Sequence, residues 1–195
     1  MVEERPPRDE VEDAVRTLIR HAGDDPTRPG LVDTPSRVVR AYREFFGGYD
    51  EDPTEYLQRQ FDDAADYDQI VVVRDIDFWS HCEHHMVPFY GFAHVAYQPG
   101  AGRVVGLSKL ARVVRAYARR LQVQERLTQQ VARSVYDGLG PSAVAVVVEA
   151  RHLCMAARGV GTPESWAVTS SVHGGFRTDA TARAEVLAML RPRCT

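Results

Sequence analysis

One short stretch of this chain concentrates side chains that bind metals. Cys82 lies among His81, His84 and His85, so that one thiol and three imidazoles fall within five residues. The whole sequence contains only three cysteines and seven histidines, and scatter does not produce such a cluster. Any fold for this chain therefore has to present residues 81–85 at one defined place.

The residues on both sides of this stretch predict β-strands. Residues 70–79 and 87–98 are rich in β-branched and aromatic side chains, which are typical of strands. The stretch is therefore expected where two strands meet. A turn at this point aims Cys82 and His85, which are spaced C-x2-H, toward one point.

Helices are predicted before, between and after the strands. Residues 9–22 carry an apolar stripe at helical spacing, and a second helix begins with Thr34 as its N-cap and Pro35 in its first turn. A short third helix starts at Pro53. Further along, the pattern predicts helices at 108–120 and 123–137, strands at 143–151 and 165–172, and a last helix at 179–190. This order indicates an α+β fold, an antiparallel sheet with its helices on one face.

Composition excludes several classes of function. The chain has 195 residues and a formal net charge of -3, whereas a general nucleic-acid binder needs a basic excess. No apolar run approaches the roughly 20 residues of a membrane span, and the charged N-terminus lacks the apolar core of a secretory signal. We therefore expect a cytoplasmic protein without nucleic-acid or membrane partners. Its two parts, which form one functional unit, are an N-terminal helical region, residues 1–68, and a catalytic domain, residues 69–195.

An odd number of cysteines in a cytoplasmic chain favours a metal site over disulfides. His152 and Cys154 are two residues apart at the end of a predicted strand, so their side chains should share one face. Cys154 placed beside Cys82 and His85 makes a cysteine–histidine–cysteine site, which suits zinc. Three ligands with an open fourth position are typical of a catalytic zinc. A closed structural site, with another histidine of these stretches as fourth ligand, remains the alternative.

A catalytic zinc activates water by lowering its pKa toward about 7. Attack by that water requires proton carriers, and histidine is the side chain that ordinarily titrates near neutrality. His84 and His152 are the candidates because they adjoin the predicted ligands. For each of them, a packed or ligand-orienting histidine is the competing interpretation.

Positively charged and polar side chains predict an anion site. Lys109 is the only lysine among 24 basic residues, and with Ser108, the predicted N-cap, it lies at a helix N-terminus that favours a phosphate. Arg112 follows one turn later, and Arg158 lies four residues after Cys154. A solvated surface is the alternative for both arginines.

Glu125 is a candidate for recognising a base. A carboxylate can accept two parallel hydrogen bonds from adjacent N–H donors, which is what the edge of a guanine ring offers. From its position alone, a solvated charge on a helix is the simpler interpretation of Glu125.

Several long segments of the chain resemble GTP cyclohydrolase I. In chain order they are DTPSRV, CEHHMVPFYG, VVGLSKLARVVRAYARRLQVQERLTQQVA, EARHLCMAARGV, TSSVHGGF and TARAEVL. They agree in order and spacing over residues 31–190. The resemblance implies the tunnelling fold (T-fold), in which four-stranded antiparallel sheets join into barrels, here with an inserted helix pair, N-terminal helices and a C-terminal helix. It also implies a toroidal homodecamer with active sites at subunit interfaces.

The resemblance further implies a zinc-dependent reaction of GTP with water that yields 7,8-dihydroneopterin triphosphate and formate. Water attacks C8 of guanine, the imidazole ring opens, formate leaves, and the ribose rearranges before the pyrazine ring closes. This is the first step of tetrahydrofolate and pterin biosynthesis. Two alternatives stay open: a related cyclohydrolase with a variant substrate or product, and a binding protein with a structural zinc.

The family's functional residues match positions of this sequence one by one. Its zinc ligands correspond to Cys82, His85 and Cys154, and its proton-transfer histidines to His84 and His152. Its triphosphate contacts correspond to Arg37, Ser108, Lys109, Arg112 and Arg158, and its guanine-binding pair to Gln124 and Glu125.

Two positions depart from the family's pattern. His81 stands where a small or apolar residue is expected, and it offers a competing metal ligand. Trp166 stands where a small or polar residue is more common, and it reshapes a neighbouring surface. Cys194 has no assigned role and is expected to be a free thiol in the C-terminal tail.

Overall fold

The computed structural model describes residues 5–61, 67–100 and 103–191. The chain divides after Gly47 into two compact units, of which the first holds the N-terminal helices and the second holds the sheets. The functional division at residues 68 and 69 remains a prediction.

Two helices that pack against each other form the first unit, α1 (Arg8–His21) and α2 (Thr34–Phe45). Both predicted helices are confirmed, and α1 is displaced by one residue at each end. The predicted cap of α2 is wrong, because Asp33 is the N-cap residue and Thr34 is already helical. Pro35 lies in the first turn as predicted, where its missing N–H leaves no helical hydrogen bond unmade.

The second unit mixes helices and strands. Short 3-10 helices span Gly47–Asp50 and Pro53–Leu57, and the Asp52 side chain caps the second by accepting from the Thr54 N–H. The strands are β1 (Gln60–Phe61), β2 (Val71–Cys82), β3 (Pro88–Gln98), β4 (Val104–Val105), β5 (Leu121–Gln122), β6 (Ala143–His152) and β7 (Ala167–Gly174). The helices are α3 (Leu107–Ala118), α4 (Gln124–Leu139), α5 (Leu153–Ala156), α6 (Gly175–Thr178) and α7 (Ala180–Met189).

The main sheet has the strand order β5-β2-β3-β6-β7. Its four long strands are antiparallel to their neighbours, as predicted. The two-residue β5 adds a fifth strand that the sequence did not predict; it pairs parallel with the end of β2, with Gln122 opposite Cys82. This pairing brings the start of α4 beside the metal-binding stretch. β1 and β4 form a separate two-stranded pair.

The main core lies between one face of the sheet and the helices α3 and α4. Alternate residues of β3 and β6 point to this face, because side chains alternate along a strand. Buried contributors to this core include Phe89, Tyr97, Leu110, Val113, Leu127, Val131, Val146 and Val148. Each such side chain contributes roughly 1.5–3 kcal/mol by leaving water. Gly140 is the C-cap residue of α4, and its φ of 58° is left-handed, a conformation that suits glycine.

The C-terminal helices cover the opposite face. Phe176 of α6, Val186 of α7 and Leu190 pack against Ala96 and Ala145, which point away from the main core. The prediction that all helices share one face of the sheet is therefore wrong for α6 and α7. In the described part of the chain, none of these helices is long and apolar enough to cross a membrane.

Candidate functional site

The three predicted zinc ligands lie together. The ligand atoms of Cys82, His85 and Cys154 are all within 4.8 Å of one another, and Cys82 Sγ is 3.8 Å from His85 Nδ1. Cys82 is buried, Cys154 is half-buried and His85 is exposed, so one side of the cluster faces solvent. Over residues 5–61, 67–100 and 103–191, no other three donors of these types are close enough together to hold a metal ion.

The turn after β2 fixes two of these donors. The Cys82 N–H donates to the Val87 carbonyl oxygen (2.9 Å), and the Cys82 carbonyl oxygen accepts from the N–H groups of His85 (3.3 Å) and Met86 (2.8 Å). Met86 has a φ of 53°, a left-handed value that tight turns use. β2 extends three residues beyond its predicted end, so Cys82 is the last residue of a strand rather than part of the turn.

Cys154 comes from a helical turn and not from a strand. β6 ends at His152 and α5 begins at Leu153, so the strand alternation predicted for His152 and Cys154 is wrong. α5 nevertheless directs the Cys154 thiol to the other two donors. Cys154 thus lies beside Cys82 and His85 as predicted, although the local reason given for it is incorrect, and its role as a metal ligand stays a prediction.

The surroundings of the Cys154 thiol raise its pKa. Burial is the main cause that raises the pKa of this thiol, and the neighbouring Cys82 raises it further, while the guanidinium of Arg158 opposes the rise. Arg158 also contacts the cluster directly, since its Nη1 lies 3.2 Å from His85 Nε2. Cys154 therefore keeps its proton unless a cation stabilises the thiolate. Two sulfurs and one imidazole nitrogen are a donor set that zinc prefers, and these residues fit that metal.

His152 is held from two sides. Its ring stacks on Phe89, with ring centres 4.6 Å apart and planes inclined by 2°, and its Nε2 lies 2.8 Å from Gln124 Oε1. The register of β3 on β6 sets this stack, because it pairs Phe89 directly with His152. Burial lowers the pKa of His152, and the carboxylate of Glu125 partly opposes the effect. The imidazole is therefore largely neutral near pH 7 and able to accept a proton.

His84, the other predicted proton carrier, lies at the surface. Its side chain is 64% exposed, its Nδ1 is 3.9 Å from Cys82 Sγ, and its Nε2 is 3.9 Å from Glu83 Oε1. The two histidines therefore differ in setting: His152 has a fixed orientation, and His84 has direct access to solvent.

The predicted phosphate contacts Ser108, Lys109 and Arg112 occupy the first two turns of α3. Gly106 is the N-cap residue, so the predicted cap role of Ser108 is wrong. The first turn carries no acidic residue, Ser108 and Arg112 are exposed, and Lys109 is half-buried. The Arg112 guanidinium lies 5.8 Å from the ring centre of Tyr56. The cations and free N–H groups of this helix end are suited to an anion.

Within one chain, the length of α3 separates its N-terminus from the metal cluster. β5, which pairs with Cys82, follows the opposite end of α3, and a helix of 12 residues is about 18 Å long. Arg158 alone among the predicted phosphate contacts touches the cluster. Arg37 lies on α2 in the first unit, where it is exposed and forms an ion pair with Asp33 at 3.2 Å.

The predicted guanine-binding pair divides into one exposed and one buried side chain. Glu125 is exposed and lines a surface cavity of about 280 Å³ together with Gln129, Thr169, Ser170 and Ser171. Gln124 is only 2% exposed. Its Nε2 donates to the carbonyl oxygens of Val148 and Ala167, both at 3.0 Å.

The two unusual positions lie outside the donor group. His81 is buried on β2, and burial lowers its pKa. The ring centre of Trp166 lies 5.1 Å from the guanidinium carbon of Arg151, which also forms an ion pair with Glu164 at 2.8 Å. Cys194 lies outside the described residues.

Sequence reasoning missed the contacts that hold the predicted residues in place. Phe89 and the Gln124 side chain orient His152, and a Glu83–Arg126 ion pair holds the turn after β2. Residue spacing contains no signal for these contacts, since they depend on strand register.

The fold and the site together define an α+β protein with a three-donor site of the kind that holds zinc. A family model for GTP cyclohydrolase I matches residues 11–191. GTP cyclohydrolase 1 of Sinorhizobium fredii (strain NBRC 101917 / NGR234) is 54% identical over 187 residues, which cover 96% of this chain and 91% of that protein. This chain therefore belongs to the GTP cyclohydrolase I family and is a hydrolase.

A solved structure shows a weaker likeness. The crystal structure of the archaeosine synthase QueF-Like in the apo form has a TM-score of 0.43 and 20% sequence identity to this chain. The match covers 54% of this chain and 94% of that one.

Proposed function

We propose that this protein is a zinc-dependent GTP cyclohydrolase I. It hydrolyses GTP at C8 of guanine, releases formate and forms 7,8-dihydroneopterin triphosphate, the first step of tetrahydrofolate and pterin biosynthesis in the cytoplasm. The observation that carries the proposal is the convergence of Cys82, His85 and Cys154 within 4.8 Å in a chain of this family.

Cys82, His85 and Cys154 would hold the zinc ion through two thiolates and one imidazole. A bound zinc ion supplies a Lewis acid and lowers the pKa of water toward about 7. The arrangement supports a catalytic rather than a closed structural site, because no fourth donor joins the group among the described residues. The exposed side at His85 leaves room for water and substrate.

His152 and His84 would move the protons. His152 is fixed by Phe89 and Gln124, so it is suited to exchange a proton with a substrate held in one position. His84 is exposed and is suited to exchange protons with solvent. The contrast between the two settings supports separate roles.

Ser108, Lys109 and Arg112 would bind the triphosphate at the N-terminus of α3, and Arg158 and Arg37 would add two guanidinium groups. A helix N-terminus without acidic residues attracts an anion, and charged hydrogen bonds to phosphate oxygens position the substrate. Glu125 would accept two parallel hydrogen bonds from the guanine edge, and the cavity that it lines supports this role. Gln124 completes the pair in the family, although its side chain here is already bonded inside the fold.

A T-fold homodecamer would join these parts. In the described chain β7 is the last strand of the sheet, and the outer edge of its eight residues pairs with no other strand. Such an edge is available for pairing with a second copy. Because α3 separates its phosphate-binding end from the metal cluster, a complete site needs the two groups from different copies.

The proposal is tested by incubating the zinc-loaded protein with GTP and measuring formate and a product that becomes fluorescent on oxidation, as pterins do. Cys154→Ser should abolish turnover and lower the zinc content without unfolding the chain, whereas Cys194→Ser, the matched control, should leave both unchanged. Intact GTP with a retained metal would instead indicate a binding protein with a structural zinc. The mass of the product separates dihydroneopterin triphosphate from the ring-opened or variant product of a related cyclohydrolase.

A further inference from the structure

Gln124 is a polar side chain inside the core, and its hydrogen bonds are made within the chain. Nε2 donates to the carbonyl oxygens of Val148 and Ala167 at 3.0 Å each and lies 3.2 Å from Thr169 Oγ1. The residue is 2% exposed. Buried amides need such partners, because an unmade hydrogen bond away from water is costly.

These partners determine which way the amide points. A backbone carbonyl oxygen can only accept, so the atom facing Val148 and Ala167 must be the nitrogen. The amide oxygen, Oε1, then faces His152 Nε2 at 2.8 Å. Since Oε1 can only accept, the ring nitrogen must donate. The neutral His152 ring therefore carries its proton on Nε2 and its lone pair on Nδ1.

Two contacts together leave the His152 ring little freedom. The stack on Phe89, with planes inclined by 2°, fixes the plane of the ring. The hydrogen bond to Gln124 fixes the rotation of the ring within that plane. Phe89 is fully buried, so its own ring, on which the His152 ring stacks, is held in place by the surrounding core.

We propose that Gln124 is a positioning residue that acts through His152: its amide, fixed by the carbonyl oxygens of Val148 and Ala167, accepts from His152 Nε2 and holds the ring in one orientation. This inference rests on the proposed function of the site. It differs from a guanine-binding role for the Gln124 side chain, since Nε2 already has acceptors for both of its hydrogens. Glu125, the exposed neighbour, remains available for the base.

The two roles predict different kinetics. Loss of a positioning contact lowers the rate of the chemical step, whereas loss of a guanine contact weakens GTP binding. Gln124→Met keeps the length of the side chain and removes the acceptor. It should lower kcat about 10- to 100-fold with little change in KM, because a poorly placed proton carrier loses most of its contribution. Gln124→Asn withdraws the amide from His152 by one methylene and should have the same effect on kcat. It tests the same contact if the methionine variant does not fold.

Gln124→Glu is the conservative variant when its buried carboxyl group is protonated, since the O–H can donate to one of the two carbonyl oxygens and the other oxygen remains an acceptor for His152 Nε2. It should retain a higher kcat than Gln124→Met. Ser134→Ala is the matched control: Ser134 is buried on the same helix and its hydroxyl lies 2.7 Å from the Tyr117 hydroxyl, ten residues along the chain from Gln124. This control should lower thermal stability and leave kcat unchanged. Zinc content should be the same in all variants.

A crystal structure of Gln124→Asn supplies a readout that is independent of turnover. The proposal expects the His152 ring to remain stacked on Phe89 and to shift within that plane, so that Nε2 leaves the position that it holds next to Gln124. A ring that stays in place, a rise in KM without a fall in kcat, or an equal loss in Gln124→Glu and Gln124→Met would each overturn it. If the wild-type protein releases no formate from GTP, the proposed function fails, and the ring orientation still decides whether Gln124 positions His152.

Discussion

Arg126 donates to both carboxylate oxygens of Glu83, at 2.5 and 3.0 Å, and so connects the first turn of α4 to the turn after β2. The Glu83 N–H also donates to the Gln122 carbonyl oxygen at 2.9 Å. Glu83 stands between Cys82 and His84, so these bonds hold the stretch that carries two of the three predicted zinc ligands. Two-point pairing of a guanidinium with a carboxylate restrains direction as well as distance.

Arg126→Met should therefore weaken zinc binding more than it weakens the fold. Residues that orient metal ligands typically contribute 10- to 100-fold in affinity, and we expect a loss of about 10-fold because Glu83 acts on the turn and not on a ligand side chain. The measurements are the zinc affinity, from competition with a chelator at equilibrium, and thermal unfolding, which reports on the fold. Arg133→Met is the matched control, since Arg133 pairs with Asp137 farther along α4. Equal zinc affinities for both variants would contradict the prediction.

Lys109→Met should raise the KM for GTP and leave kcat nearly unchanged. A hydrogen bond to a charged group contributes about 1.5–3 kcal/mol, which corresponds to about 10- to 150-fold in KM. Steady-state kinetics with GTP measure the change. Arg115→Met on the same helix serves as the control, because Arg115 pairs with Asp77 and lies two turns away. The phosphate role of Lys109 fails if the two variants have the same KM.

The pH dependence of stability should contain a contribution from His173. Burial lowers the pKa of this histidine, and the charges of Arg133 and Arg177 lower it further, against the opposing charge of Asp137. The unfolded chain then binds a proton more readily than the folded chain. Stability is therefore complete above the ordinary pKa of about 6.5 and falls as the pH decreases through the lower folded value.

His173→Phe should flatten this part of the stability profile, since phenylalanine retains the stack on Tyr136, whose ring centre is 5.4 Å away, and cannot titrate. Denaturant unfolding between pH 5 and 8 provides the measurement. Arg133→Met should raise the pKa of His173 toward its ordinary value. An unchanged slope in His173→Phe would show that this histidine does not contribute.

Local patterns predicted what depends on nearby residues. Cys82 and His85 converge because residues three apart in a tight turn cannot lie far from each other. The long strands β2, β3 and β6 were predicted because each contains a run of β-branched residues. Asp33 displaced Thr34 as the cap of α2, since both residue types cap helices and spacing does not distinguish them. β5 was not predicted because two residues are too few to show a strand pattern. Its pairing with β2 depends on where α3 ends.

Contacts between distant segments could not be predicted in this way. Gln124 bonds to carbonyl oxygens 24 and 43 residues further along the chain, and only the packing of α4 on β6 and β7 brings them together. A sequence shows an amide at the start of a helix; it does not show that the amide is buried. The residues that orient a site are thus harder to predict than the metal ligands. Ligands can be recognised by residue type and spacing, whereas orienting residues depend on which distant segments pack together.

Gly91→Ala should be among the most damaging single substitutions in the sheet. A Cβ at this position would lie 1.9 Å from the Glu149 carbonyl oxygen and 2.7 Å from Ala150 Cα, and neither backbone atom can move without shifting β3 on β6. We expect a loss of about 2–3 kcal/mol in the free energy of unfolding, as for other overpacked sites, and a fall of about 5–10 °C in Tm for a chain of this length.

Because the same register pairs Phe89 with His152, the Gly91→Ala protein that still folds should also have a lower kcat. Gly175→Ala is the matched control, since its nearest neighbours would be 3.7 and 3.8 Å away, at ordinary contact distance. Thermal unfolding of the two variants decides the matter, and equal Tm values would mean that the close approach of β3 and β6 at Gly91 does not control the register.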